Sequence, residues 1–176
     1  MRSELTLKYI NDDDRAYGLA GMAISLAALD ALDRVVSVSL DSDGPMVTFT
    51  HEYYFCGSPS LSPKAVWSNL LNSFNLTSAM ALSNVMSRSL VRLGNEVPDA
   101  VMDSIHDVIM EEGRQECCLE EDEVNQIYNR ARTYMRRIFN NRRLHPAIDE
   151  LVRTLAVRRS LSGTEIADEL RLLQIL

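Results

Sequence analysis

From Ala16 to Leu29 the chain runs fourteen residues in which only Gly, Ser and Tyr interrupt the aliphatic side chains. A bilayer span needs about 20 such residues, and Asp30 and Asp33 close this run, so no membrane span is expected. A helix that is apolar on nearly every side must be packed all round. Asn11 to Asp14 supply short polar side chains able to accept its free N-terminal N–H groups. A core helix over about 12–33 is the expectation, and the rest of the chain has to enclose it. An apolar fraction of 46% suits a globular protein, and 176 residues suit a single domain.

Val35 to Leu40 and Met46 to Phe55 are β-prone runs around Asp43-Gly44-Pro45, the chemistry of a hairpin turn. Ser58 to Ser62 reads as a loop, and Ser62-Pro63 as an N-cap followed by proline at the first helical position. A helical stretch to Leu93 follows, with Asn75 as a candidate break and Gly94-Asn95 as its stop. Pro98 opens a helix ending near Gly113, with Val101, Ile105, Val108 and Ile109 on one face. From Leu119 to Asn140, the positions Val124, Ile127, Tyr128, Ala131, Met135 and Ile138 form one apolar stripe. Glu120 to Glu123 begin this helix and Arg132, Arg136 and Arg137 end it, which complements the helix dipole. Pro146 opens another helix with Ile148, Leu151, Val152 and Leu155 inward, and Ser162 with Glu165 forms a capping box before Ile166, Leu170 and Leu173. The fold class is therefore mainly α: one domain with a helix over about 12–33, a small hairpin over about 35–55 and a helical remainder over about 62–173.

The stretch from Leu119 to Leu170 resembles the C-terminal end of FtsH-type zinc metalloprotease domains. The shared pattern is an acidic start, a long helix with alternating arginines and alanines, Asn141-Arg142, a looser form of L-x-x-L-A over Leu151 to Ala156, and Leu161, Gly163, Glu165 and Ile166 in a Leu-x-Gly-x-Glu-Ile element. The N-terminal part is similar in order, with Arg15-Ala16-Tyr17 and an apolar helix ahead of two strands. The resemblance covers about half the chain, mostly its last third. It implies a helical peptidase fold, but the chemistry departs from the family. In register, H-E-x-x-H falls on Gly18-Leu19-Ala20-Gly21-Met22. Gly18 and Met22 stand at the zinc-ligand positions and Leu19 at the general base. Glycine has no donor atom, leucine takes no proton, and a thioether is a poor zinc ligand beside imidazole. Asp99 or Asp103 is the candidate relic of the third ligand, an aspartate. The family's ATPase module is missing too, since no G-x-x-x-x-G-K-[ST] occurs. The expectation is a relative without catalytic residues, metal or cofactor.

The remaining metal-type residues follow no standard spacing. His106, Glu111, Glu112 and the adjacent Cys117 and Cys118 read as a helix end and a loop. His51 and Glu52, read as strand neighbours, point to opposite faces, and His145 before Pro146 reads as a helix-start residue. Three cysteines, Cys56 among them, form no disulfide framework. Reduced thiols, and a Met1 to Lys8 stretch without an apolar core, give a cytoplasmic expectation.

Charge divides the chain unevenly. Nine arginines lie between Arg130 and Arg159 against Asp149 and Glu150, a local charge of +7 in a chain of −7. Arg132, Arg136, Arg137, Arg142 and Arg143 are the candidate interaction face. Intramolecular pairing with the acidic remainder, a protein partner and self-association are the favoured uses. The alternative is a nucleic-acid-associated protein, with Tyr134 and Phe139 the only interleaved aromatic rings.

Overall fold

The Asn11 side chain accepts the Asp14 N–H at 2.8 Å and so starts α1, Asp12–Ala28. The structure is a computed structural model and describes residues 5–41, 43–54 and 61–173. Every residue of α1 from Gly18 to Leu26 is buried, as a helix without a polar face requires. The helix ends five residues short of the expected Asp33. Asp30 adopts a left-handed φ of 53°, which a short polar side chain tolerates, and a 3-10 turn over Leu32–Arg34 leads into the sheet.

The hairpin forms. Strand β1, Val35–Ser39, pairs antiparallel with β2, Val47–Phe49, through Val35↔Phe49 and Val38↔Val47. The second run does not stay extended, however. His51–Tyr54 is a helical turn, α2, so His51 and Glu52 are helix neighbours rather than strand neighbours, and Phe55 lies outside the described residues. The turn lays the Tyr53 ring on Phe49 with centroids 3.8 Å apart and brings its hydroxyl within 2.8 Å of Thr77 Oγ1. Ring stacking and a hydrogen bond that a straight strand could not make win over local β propensity. A third strand, β3 (Ser160–Leu161), pairs with the free edge of β1, giving the order β2-β1-β3.

Helix α3, Pro63–Met86, is capped by the Ser62 hydroxyl and passes through Asn75 without a break. Its irregularity comes later, as a π-helical segment over Ser87–Leu93 closed by Gly94 at φ 65°. Then follow α4 (Asp99–Cys117), α5 (Glu121–Phe139), α6 (His145–Arg158) and α7 (Gly163–Leu172). Helix α4 outruns its expected end at Gly113 by a turn, and Cys118 caps it in a left-handed conformation. Ser162 and Glu165 exchange their capping-box hydrogen bonds at 2.8 and 3.2 Å. Of the α5 stripe, Val124, Tyr128, Ala131 and Met135 are buried, with Phe139 as the last inward residue, while Ile127 and Ile138 are only half-buried at its margins. Leu173 is likewise half-buried.

The close approach of two helices accounts for small residues in α1. A Cβ on Gly21 would lie 2.4 Å from the Ser83 carbonyl oxygen, and one on Gly18 2.8 Å from Asn84 Nδ2. Helices α1 and α3 therefore meet nearly backbone to backbone. Among the described residues no helix is long and apolar enough to cross a membrane.

Position within the stripe should set mutational cost. Met135→Ala, at a site with no exposed surface, is expected to lower stability by about 2–5 kcal/mol. Ile127→Ala should cost only about 1 kcal/mol. Urea unfolding reads the difference, and equal costs would place Ile127 in the core.

Candidate functional site

Asp14, in the first turn of α1, and Arg88, in the π segment, are both fully buried. Arg88 Nε and Nη2 donate to the two carboxylate oxygens of Asp14 at 2.9 and 2.6 Å, a bidentate pair. Arg92, one turn on, bridges Asp13 at 2.7 Å and Asp14 at 3.2 Å. Burial by itself raises the Asp14 pKa. The Arg88 hydrogen bonds, the Ile10 N–H and the charges of Arg88 and Arg92 outweigh it and hold the carboxyl below its ordinary value. Arg88 Nη1 and the Ser87 hydroxyl have no hydrogen-bond partner among the described residues.

This pair also anchors the segment before α1. Arg88 Nη2 donates to the Lys8 carbonyl at 3.0 Å, and the Ile10 N–H donates to Asp14 at 3.1 Å. The Tyr9 ring lies 4.8 Å from the Arg88 guanidinium, a cation–π contact. Asn84 Nδ2 donates to the Tyr9 hydroxyl at 2.6 Å. Held in this way, Leu7 and Tyr9 form one wall of a cleft of about 360 Å³. Its floor includes Met22 and Val85, and its far wall is the Ile105, Val108 and Ile109 face of α4. Leu7 is 51% exposed and Val108 53%, although Val108 was expected to face the core. Paired apolar side chains at the rim of an apolar cleft are the kind of surface that a partner covers. Glu112 is the carboxylate lining it.

Gly18, Leu19 and Met22, the positions compared above with H-E-x-x-H, have distinct surroundings. Gly18 sits under Asn84 and Tyr9, where even a methyl group would meet Tyr9 Cε1 at 2.9 Å. Leu19 has no exposed surface. Met22 lines the cleft. Asp99 and Asp103 are exposed and neither lines that cleft; Asp99 faces a separate groove with Glu96, Arg132 and Arg136. Among the described residues no three His, Cys, Asp or Glu side chains gather as a metal ion would need. His106 instead meets Asn125 Oδ1 at 2.8 Å and the Tyr128 ring edge-on. His145 Nε2 lies 2.8 Å from the Phe139 carbonyl oxygen, and Cys56 lies outside the described residues. Tyr17 donates its hydroxyl to Asp149 at 2.8 Å; burial first, and then that carboxylate, push its pKa up to about 12.

The arginines are divided. Arg136 pairs with Glu96 at 3.2 Å, Arg153 with Glu150 at 2.7 Å, Arg158 with Glu165, and Arg159 with both Asp12 and Asp41. Arg130, Arg132, Arg137, Arg142 and Arg143 make no ion pair among the described residues. Arg132 and Arg136 share the groove with Asp99, whereas Arg137 lines another with Arg130 and Tyr134. Sequence reasoning passed over Arg88, Tyr9 and Asn84. Only an arginine within a largely uncharged helical stretch, Val85 to Leu90, could have signalled them. Compared with family models, curated proteins and solved structures, the chain has no match.

Breaking the buried pair should be costly. Arg88→Ala leaves Asp14 without its bidentate partner and is expected to destabilise the fold by about 3–5 kcal/mol. Since the folded Asp14 pKa is depressed, the unfolded chain binds the proton first. The stabilisation is complete above the ordinary carboxylate pKa of about 4 and is lost as pH falls through the lower folded value. Denaturant unfolding from pH 7 to pH 2 should show this loss in the wild type and a smaller one in Asp14→Asn. Parallel profiles would contradict the assignment.

Proposed function

We propose that this protein is a non-catalytic binding module on a peptidase-like scaffold, and that it works by taking a protein partner into the cleft above Met22. The carrying observation is that Met22, in register with a zinc-ligand histidine, lines an apolar cleft with exposed Leu7 and Val108 at its rim. A zincin needs two imidazoles one helical turn apart and a carboxylate to activate the bound water. A side chain at Gly18 would have to displace Asn84 and Tyr9, and Leu19 is sealed in the core. The kinship with FtsH-type peptidases belongs to this proposal and rests on the helical pattern of Leu119 to Leu170 and on the helix-then-hairpin order.

The chemistry of the cleft defines its partner. Methionine adapts its shape to varied apolar surfaces, and both Met22 and Met46 line the cleft. Glu112 supplies a negative charge beside them. The complement is a peptide segment with a large apolar side chain next to Lys or Arg. A displayed peptide library selected on the wild type and counter-selected on Val108→Arg should return such sequences. Ligands that bind Val108→Arg equally well would overturn the assignment. Metal analysis after dialysis should find no stoichiometric zinc, and casein should not be cleaved with zinc added. One zinc per chain, lost together with activity on chelation, would refute the non-catalytic reading.

A further inference from the structure

The groove between α3 and α5 differs from the others in charge. A cavity of about 420 Å³ there adjoins a shallower one of about 550 Å³, and the two share Arg130 and Tyr134. No carboxylate lines either, whereas the neighbouring grooves set Asp30 and Asp33 beside Arg171, or Glu96 and Asp99 beside Arg132 and Arg136. In a chain of net charge −7, an uncompensated basic groove is a local exception. We propose that it binds a nucleotide unit, a planar base carrying a phosphate.

Each part of such a ligand has a counterpart. Arg130 and Arg137, on one face of α5, make no ion pair among the described residues, so both forked guanidinium groups remain available for phosphate oxygens. Tyr134 lies between them in sequence and is 41% exposed, and its hydroxyl donates to the Ala28 carbonyl at 3.2 Å. That bond fixes the ring as a stacking wall for a base. Leu71, Ile127 and Ala131 give an apolar floor. Asn72 and Asn75, on one face of α3, also line the groove, and neither amide has a hydrogen-bond partner among the described residues. Asparagine matches the donor–acceptor edge of adenine, which makes adenine the favoured base. The groove shares no lining residue with the Met22 cleft, so this inference is independent of the protein-partner reading.

Free nucleotides and nucleotides within a single strand present the same chemistry. The experiment therefore titrates AMP, adenosine, inorganic phosphate and a short oligoadenylate into the full chain, followed by amide chemical shifts at low and physiological salt. AMP should perturb α3 around Asn75 and α5 around Arg130 to Arg137. Adenosine and phosphate alone should each bind at least about tenfold more weakly, and affinity should fall as salt rises. Arg130→Gln combined with Arg137→Gln should weaken AMP binding at least about tenfold, the loss expected for charge-assisted hydrogen bonds, with unchanged thermal unfolding. Asn75→Ala should erase any preference for AMP over uridine monophosphate. Tighter binding of the oligonucleotide would identify a strand as the source, and tighter binding of AMP the free nucleotide; both uphold the site. No binding of AMP or oligonucleotide by about 10 mM, binding indifferent to the double Gln variant, or phosphate binding as well as AMP would overturn it.

Discussion

Arg88 carries a full charge into the interior, and the arrangement around it determines much of what the N-terminal third of the molecule can do. Withdrawing a guanidinium and a carboxylate from water costs several kcal/mol per ion, recovered only with close geometry and additional hydrogen bonds. The bidentate contact with Asp14, the Lys8 carbonyl and the Tyr9 ring supply those conditions. The backbone contributes as well. Ser87, Arg88 and Ser89 are consecutive and all buried, and they continue the buried run of Leu82 to Met86 at the end of α3. The π-helical turn lies where these three residues point inward, and such turns are frequent at functional positions.

From this pair the order spreads outward. The segment before α1 is held from two sides, by the Arg88 bond to Lys8 and by the Ile10 N–H to Asp14. Tyr9, fixed by Arg88 and Asn84, completes a cleft that α1, α3 and α4 would otherwise leave open on one side. Helix α3 then separates two surfaces of opposite character. One face, through Thr77, Ala81 and Val85, borders the apolar cleft with Glu112 at its edge. The other, through Asn72 and Asn75, borders the basic groove of α5. Within the arginine-rich stretch of the sequence, Arg136, Arg153, Arg158 and Arg159 hold the fold's own carboxylates.

What the sequence made legible was local. Asn11, Ser62 with Pro63, Gly94, and Ser162 with Glu165 act within one helical turn, and each stands where its chemistry predicts. The all-round burial of α1 followed from composition alone. Interactions between distant residues were hidden. Asp14 reads as an ordinary first-turn acid, and its partner lies 74 residues away. The bend at Thr50, which ends β2, depends on Phe49 and Thr77 receiving Tyr53. Strand β3, at two residues, is too short for any period to show. At the candidate site, the sequence showed Gly18 and Met22 only as parts of an apolar helix. That Asn84 and Tyr9 lie closely over Gly18 comes only from packing.

The buried Asp14–Arg88 pair holds the segment over residues 7–10 in place as the wall of the cleft, a role separable from global stability. It is tested most directly by replacing both charges together, as Asp14→Leu with Arg88→Met. Exchanging both members of a buried pair for apolar groups leaves a domain able to fold, so the segment can be observed apart from global stability. Amide hydrogen exchange of Leu7 to Ile10 is the measurement, with the amides of α5 as the internal reference. Exchange in this segment is expected to rise towards that of an unstructured chain while α5 stays protected. Unchanged protection at Ile10 in the folded double variant would contradict it.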